Sequence, residues 1–185
     1  MIPPSSQSFR PRGDMPTSRF LISVVVKRFV LARNPWASEQ WRPVLAEVSC
    51  RDALGVECIE ESSTGSSWRF DGLSLELHAS ESEGYYLNVT SEQPKLFVMW
   101  RLEADRTPPV HVVQLTVSYN EAGRFLDGGE QVEAVPMNDE IRTWTEAFVA
   151  QNYKPEPRRK SRRNELYEDA DKRAARAGTN GRDSS

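Results

Sequence analysis

The sequence predicts a mainly β domain with added helices (β+α), in which an antiparallel meander forms a sandwich or a partly open barrel. Two observations support this prediction. Apolar and polar residues alternate along several runs of the chain, as they do in half-buried strands. Short connections rich in Gly, Pro, Asn and Asp separate these runs. Parallel neighbours would need crossovers of about a dozen residues, so we expect antiparallel pairing.

Each predicted strand is a row of alternating apolar side chains. The rows are Leu21–Leu31, Val44–Cys50, Leu73–Leu77, Tyr85–Val89, Leu96–Leu102 and Val113–Val117. Trp68 and Phe70 predict a further short strand, which a turn at 71–72 ends. Phe97 and Met99 make both faces of one row apolar, so we expect that strand to be central and covered on both sides.

A short helix is predicted after the sheet. Asn120 is expected to cap it, because a side-chain oxygen at this position can accept a hydrogen bond from a free backbone N–H. Gly128 and Gly129 are expected to end it.

A longer helix is predicted at about 138–153, with Asn138 as its cap and acidic residues in its first turn. Apolar side chains recur at helical spacing along one stripe. We expect Trp144 and Phe148 of this stripe to be fully buried against the sheet.

The length of 185 residues suits one domain with tails. Residues 1–17 contain four prolines and are predicted to be a disordered N-terminal tail. Residues 18–153 form the predicted single β-rich domain, and residues 154–185 form a basic, mostly disordered C-terminal tail. Translation could begin at Met1 or at Met15, just before the first strand.

Charge is distributed unevenly along the chain. Residues 18–153 hold twelve basic and twenty acidic side chains, which gives −8, whereas residues 154–185 carry +4 and the whole chain −3. The negative charge of the predicted domain at 18–153, called the acidic body below, argues against a nucleic-acid partner and favours a protein partner. No apolar run approaches the roughly 18 residues that a membrane helix needs, so we expect no membrane span and a cytoplasmic location. The oligomeric state stays open.

The search for catalytic chemistry yields no catalytic residue, metal site or cofactor. The common glycine-rich nucleotide loops and the nucleophile-elbow motif are absent from the sequence. His78 and His111 are interpreted as a surface histidine and a rim or core histidine. Cys50 is predicted to be a small buried hydrophobe, and Cys58 to lie near a loop.

The stretch 119–137 is the predicted partner-binding surface, because it is rich in polar residue types and lies at the junction between sheet and helix. The nominated residues are Tyr119, Asn120, Arg124, Asp127 and Glu130. The structural alternative is that Asn120 caps a helix, the glycines end it, and the charges face water.

A second candidate contact lies in the basic tail, in the run RRKSRR at 158–163. Its basic residues are Arg158, Arg159, Lys160, Arg162 and Arg163. This run could bind RNA, a membrane surface or an acidic protein, or it could only keep the tail soluble.

Four segments resemble a small bacterial family of unknown function. They are NPWASEQW (34–41), EGYYLNVTSEQPKLFVMWR (83–101), VSYNEAGRFLDGGEQVEAVPM (117–137) and WTEAFVAQNYKPEPRRK (144–160). Members of that family occur near genes for molybdenum-dependent formate dehydrogenase and its accessory proteins. Some carry the label "molybdopterin-guanine dinucleotide biosynthesis protein A". The nucleotidyltransferase so named opens with a Gly-rich loop, whereas this chain has no glycine between Gly13 and Gly55.

The resemblance implies a context rather than a mechanism. It favours a non-enzymatic accessory or interaction protein that supports the maturation or stability of a molybdenum-dependent formate dehydrogenase. Its partner would be a formate dehydrogenase subunit or accessory factor. The alternative is an enzyme or small-ligand binder in the molybdenum cofactor pathway. The residues that could form such a polar site are Glu76, His78, His111, Tyr119, Asp127 and Glu130.

Overall fold

A computed structural model describes residues 18–31 and 38–154. Their strands are β1 (Ser18–Val30), β2 (Glu39–Val48), β3 (Gly55–Ser62), β4 (Gly65–Leu77), β5 (Lys95–Leu102), β6 (Val110–Thr116) and β7 (Gln131–Pro136). Their helices are α1 (Ser82–Val89), α2 (Tyr119–Asp127) and α3 (Asp139–Asn152), and a 3₁₀ turn at Ala79–Glu81 precedes α1. The predictions for residues 1–17 and for the tail, including its basic run, lie outside the described residues.

The described strands form two antiparallel sheets, which confirms the predicted mainly β fold with added helices. One sheet has the order β2-β1-β4-β3, and the other has the order β6-β5-β7. The order departs from a simple meander at β1, which pairs with β4 as well as with β2. The sheets stay separate and do not close into a barrel.

The inward-facing side chains of both sheets share one hydrophobic core. On β1 these include Ile22, Val24 and Val26, each fully buried. Leu96 and Val98 of β5 are fully buried as well. The alternating pattern read from the sequence therefore identifies the core face of both strands correctly.

Strand β5 is central in its sheet and buried on both faces, as predicted. Phe97 and Met99 point away from the shared core, yet each is only 7% exposed. Helix α2 contacts this side of the sheet, and the Tyr119 ring packs on Phe97 with 5.3 Å between the ring centroids.

The row Tyr85–Val89 was predicted as a strand, and this prediction is wrong, because these residues belong to α1. The buried hydrogen bonds of Asn88 and the close approach of Gly84 to Ser118 both favour the helix. Asn88 is fully buried, and its amide group bonds Lys95 and the Val117 carbonyl. Gly84 lies so close to Ser118 that an added Cβ would approach the Ser118 Oγ to 2.1 Å.

The predicted turn at 71–72 is also wrong, because both residues lie inside β4. The pairing with β1 shifts register at this point, and Gly72 adopts a φ of +70° that favours glycine. Asp71 is buried, and its carboxylate accepts hydrogen bonds from Ser23 at 2.6 Å and Arg51 at 3.1 Å. The apparent turn signal therefore marks a bulge held by a buried carboxylate.

Strands β3 and β7 were not predicted. No side chain of β3 is buried, and β7 buries only Val135, so neither shows a clear alternation. The prediction that Cys50 is buried is wrong as well, since Cys50 is exposed just beyond β2. Cys58 lies within β3 and is exposed.

Helix α3 begins after Asn138, whose side chain accepts a hydrogen bond from the Ile141 N–H, as predicted. Its buried positions are Ile141, Thr145 and Val149. Trp144 and Phe148 are only partly buried at the margin of the core, which corrects the prediction that both are fully buried. Trp144 packs on Phe20, and Phe148 packs edge-on against Tyr85.

Helix α2 ends at the predicted glycines, because Gly128 is its C-cap and Gly129 has a φ of +81°. Its N-cap is Ser118 rather than Asn120, since the Ser118 Oγ accepts the Glu121 N–H at 3.1 Å. The stronger cap is thus two residues upstream of the predicted one. No helix of the described ranges is long and apolar enough to cross a membrane.

Candidate functional site

A cleft of about 540 Å³ lies at one open end of the sandwich, where both sheets contribute residues. We call it the tryptophan cleft. Its lining residues are Glu39, Gln40, Trp41, Trp100, Leu102, Ala104, Pro109 and Gln131. They come from the start of β2, the end of β5, the β5–β6 loop and the start of β7. Its volume lies in the range of about 300–1,000 Å³ that is common for ligand sites.

Two indole rings make the cleft aromatic. Trp41 lies on the inner face of β2 and Trp100 on the inner face of β5, with 7% and 8% of their surfaces exposed. The Trp41 indole N–H donates to the Glu39 carboxylate at 3.0 Å, which fixes the ring. Leu102, at the end of β5, is 54% exposed and adds apolar surface to the cleft.

A cation lies beside the Trp41 ring. The guanidinium carbon of Arg28 is 6.0 Å from the ring centroid, and Arg28 Nη1 is 3.7 Å from Glu39 Oε2. The register of β1 and β2 places Arg28 directly opposite Trp41. Arg28 thus contacts two lining residues of the cleft, Glu39 and Trp41, whereas its own side chain lines a separate small pocket.

Two ion pairs involve residues that neighbour lining residues of the cleft in the sequence. Arg42 of β2 bonds Glu133 of β7 at 2.9 Å and links the two sheets. Arg101 and Glu130 form a two-point pair next to the lining residues Trp100 and Gln131. The hydrogen bond from Arg101 lowers the pKa of the Glu130 carboxyl, and the same contact raises the pKa of Arg101.

The structure places the five nominated loop residues in separate surroundings. The Tyr119 ring packs on Phe97 at a tilted angle, and Asn120 is exposed in the first turn of α2. Arg124 pairs with Glu81 at 2.7 Å, close to α1.

The other two nominated residues lie at the end of α2 and beyond it. Asp127 is exposed at the end of α2. Only Glu130 lies next to the tryptophan cleft, because α2 carries the chain along the sheet before β7 begins. Whether these residues bind a partner stays a prediction.

The polar residues considered for a small-ligand site also have separate partners. Glu76 accepts a hydrogen bond from Ser74, and the His111 Nδ1 lies 2.8 Å from Glu103. His78 is exposed beyond β4, where its backbone N–H donates to Tyr85. Within residues 18–31 and 38–154, no group of three or more His, Cys, Asp or Glu side chains is placed to hold a metal ion.

Sequence reasoning missed most of the cleft. Trp41 precedes the row Val44–Cys50 and belongs to none of the strands predicted from the sequence. Trp100 and Leu102 were assigned only to the core row of β5. No local pattern marks them as a site, because the cleft depends on how the ends of two sheets overlap.

Comparison with known proteins gives one match. The family model described as "Protein of unknown function (DUF3305)" matches residues 21–162. No curated protein and no solved structure matches the chain. Because the match covers most of the sequence, the chain belongs to the DUF3305 family of proteins of unknown function.

Proposed function

We propose that this chain is a non-enzymatic accessory protein that binds a partner polypeptide through the tryptophan cleft. The observation that carries the proposal is the joint lining of one open cleft by Trp41 and Trp100, with the exposed Leu102 beside them. Tryptophan is enriched among the residues that dominate binding energy at protein interfaces. The two ion pairs next to lining residues, Arg42–Glu133 and Arg101–Glu130, are of the kind found in the polar rim of such apolar centres.

The proposed partner is a subunit or accessory factor of a molybdenum-dependent formate dehydrogenase in the bacterial cytoplasm. This part rests on the family resemblance of the segments described above. The acidic body supports a protein partner over nucleic acid, because twenty acidic side chains oppose twelve basic ones in residues 18–153. Binding would support maturation or stability of the enzyme without a chemical step on this chain.

The test compares two leucines of similar exposure. Leu102 in the cleft is 54% exposed and Leu126 on α2 is 56% exposed, so either can become glutamate with little loss of stability. Tagged wild-type, Leu102→Glu and Leu126→Glu chains are captured from the native host, and partners are identified by mass spectrometry. We expect formate dehydrogenase components with the wild type and with Leu126→Glu, but not with Leu102→Glu.

The same strains provide a functional readout. Leu102→Glu should lower formate dehydrogenase activity without lowering the abundance of this protein, whereas Leu126→Glu should leave both unchanged. Equal capture by the two variants would show that the tryptophan cleft is not the docking site. Loss of capture on removal of residues 158–163 alone would move the site to the basic run.

A further inference from the structure

Strand β3 is an open edge of the larger sheet. In the order β2-β1-β4-β3 it pairs only with β4, so alternate residues direct their backbone N–H and C=O groups away from the sheet. Among the described residues, none of these outward groups has a backbone partner. No side chain of β3 is buried, so nothing in the described ranges covers the strand. Such an edge can accept a further strand.

The opposite edge of the same sheet is protected. Its edge strand β2 contains Pro43, which has no N–H to donate to an added strand. Arg42 of β2 also bonds Glu133 of β7 at 2.9 Å, which ties this edge to the second sheet. Strand β3 contains no proline. Among the described residues, its hydrogen bonds and ion pairs reach only β4, Arg51 and Thr64.

The two faces of β3 differ in chemistry. Glu57 and Glu60 lie on the outer face of the sheet, whereas Val56 lies on the core face opposite Phe70. Both glutamates are exposed, and Val56 is 53% exposed although its neighbour Phe70 is buried. A strand added beside β3 would therefore meet carboxylates on one face and an apolar side chain on the other.

The charge of β3 selects among the strands that could pair with it. Glu57, Glu60 and Glu61 are its charged residues, and it contains no basic one. Arg51 bonds Glu57 at 3.1 Å, but Glu60 and Glu61 have no ion pair among the described residues. Like charges opposite each other destabilise a strand pair, so antiparallel pairing between two copies of β3 is disfavoured. A strand with basic side chains avoids this repulsion.

We propose that β3 binds an extended segment of another protein by strand addition, and that this segment alternates basic and apolar side chains. The basic side chains would lie opposite Glu57 and Glu60, and an apolar one opposite Val56. Backbone hydrogen bonds would supply affinity, and the alternating side chains would supply specificity. No residue of β3 lines the tryptophan cleft, so this surface goes beyond the proposed function and does not depend on it.

Four capped peptides test the inference on the full chain. The first is acetyl-Lys-Val-Lys-Val-Lys-Gly-amide, and the second has the same residues in the order Val-Val-Lys-Lys-Lys-Gly. The third replaces every lysine of the first by glutamate. The fourth is the first with N-methyl groups on its second and third residues, which remove N–H donors from both edges of the peptide without changing its charge. Binding is followed by NMR through the backbone amide signals and the hydrogen exchange of β3.

We expect the alternating basic peptide to slow hydrogen exchange at the outward-facing amides of β3. It should bind at least about fivefold more tightly than the reordered peptide, because strand addition depends on alternation and general charge attraction does not. The N-methylated peptide should bind at least about tenfold more weakly, as expected for lost backbone hydrogen bonds. The acidic peptide should bind most weakly.

Charge reversal on β3 provides the matched comparison. Glu60→Lys should weaken binding of the basic peptide by at least about fivefold, because like charges then face each other across the pair. Glu92→Lys makes the same change in net charge at an exposed residue between α1 and β5, and should leave the affinity within about twofold. Glu57→Lys is a second reversal on β3, so the test does not depend on the folding of one variant.

Several results would overturn the inference: no binding of the basic peptide at millimolar concentration, equal binding of the reordered or N-methylated peptide, or equal effects of Glu60→Lys and Glu92→Lys. Exchange protection of β3 that rises with the concentration of the chain alone would also overturn it, because a second copy would then occupy the edge. Leu102→Glu does not alter β3, so the capture test of the proposed function stands or fails separately.

Discussion

Trp41 and Trp100 come from different sheets and line the same cleft, although both are more than nine-tenths buried. They belong to the hydrophobic core and to the candidate site at once. Truncating either ring would therefore lower stability and binding together. For that reason the binding tests use the exposed neighbour Leu102 in place of the tryptophans.

The buried Asn88 should be among the most sensitive polar positions. Asn88→Ala leaves the Lys95 N–H, the Lys95 carbonyl and the Val117 carbonyl without their partner. We expect a loss of about 3 kcal/mol or more in the free energy of unfolding, because each buried unsatisfied group costs about 1–3 kcal/mol. Urea denaturation measures it, and a loss below about 1 kcal/mol would show that α1 is not anchored by this amide.

The cap of α2 can be tested by a pair of alanine variants. Ser118→Ala removes the acceptor for the Glu121 N–H and a donor to Glu81, so it should cost about 1–2 kcal/mol. Asn120→Ala should change stability by less than about 0.5 kcal/mol, because Asn120 is exposed and is not the cap. The reverse order of the two effects would restore Asn120 as the cap.

The burial pattern of α3 predicts an order of effects. Ile141 is fully buried, so Ile141→Ala should cost about 3–4 kcal/mol. Trp144 is only partly buried beside Phe20, so Trp144→Ala should cost less, about 2 kcal/mol. A larger loss for Trp144 in urea denaturation would indicate that this ring is covered more fully than the structure shows.

Tyr85 should make stability depend on alkaline pH. Burial raises the pKa of its phenol from 10.0 to about 12. Because the folded pKa exceeds the unfolded one, the protonated phenol stabilises the fold fully below pH 10, and this contribution is lost as pH rises from 10 to 12. The difference between a pKa of 10.0 and one of about 12 corresponds to roughly 2–3 kcal/mol in the free energy of unfolding.

Tyr85→Phe should abolish that part of the alkaline loss, at a cost near neutral pH of about 1 kcal/mol, because the His78 N–H loses its acceptor. Tyr119→Phe, at a 38% exposed ring, serves as the matched control and should keep the wild-type profile. Chemical denaturation across pH 9–12 measures all three chains. A Tyr85→Phe chain as sensitive to alkali as the wild type would refute this assignment.

The pair at the rim of the cleft predicts an acid titration. Arg101 lowers the pKa of the Glu130 carboxyl below its ordinary value of 4.5. The contribution of this pair is therefore present above the unfolded pKa and is lost as pH falls through the lower folded pKa. NMR titration of the Glu130 carboxyl should show the low value, and Arg101→Met should raise it. An unchanged titration in that variant would contradict the pairing.

The core face of the sheet could be predicted from the sequence for a physical reason. Ile22, Val24 and Val26 alternate on β1 because one face meets the core, so the period of two was visible. In α1 the buried positions include Ser82, Gly84 and Asn88, which are polar or lack a side chain. The remaining apolar residues of α1 alternate in the sequence. This pattern is typical of a strand, so the sequence predicted one.

The candidate site was less predictable than the sheet. Trp100 and Leu102 look like ordinary core positions of β5, and only the end of the facing sheet makes them line a cleft. The contacts of Arg28 with Glu39 and Trp41 could not be predicted from the sequence either, since they depend on the register of β1 against β2. The polar stretch 119–137 was predicted as one surface, but α2 separates its two ends.

The most direct test of docking through the tryptophan cleft is the affinity of the purified chain for the purified formate dehydrogenase of its native host. Isothermal titration would compare the wild type with Leu102→Glu and Leu126→Glu. Our account predicts that Leu126→Glu binds within about twofold of the wild type and that Leu102→Glu binds at least about tenfold more weakly, as expected for an interface anchor. Wild-type affinity in Leu102→Glu, or no binding by the wild type, would contradict it.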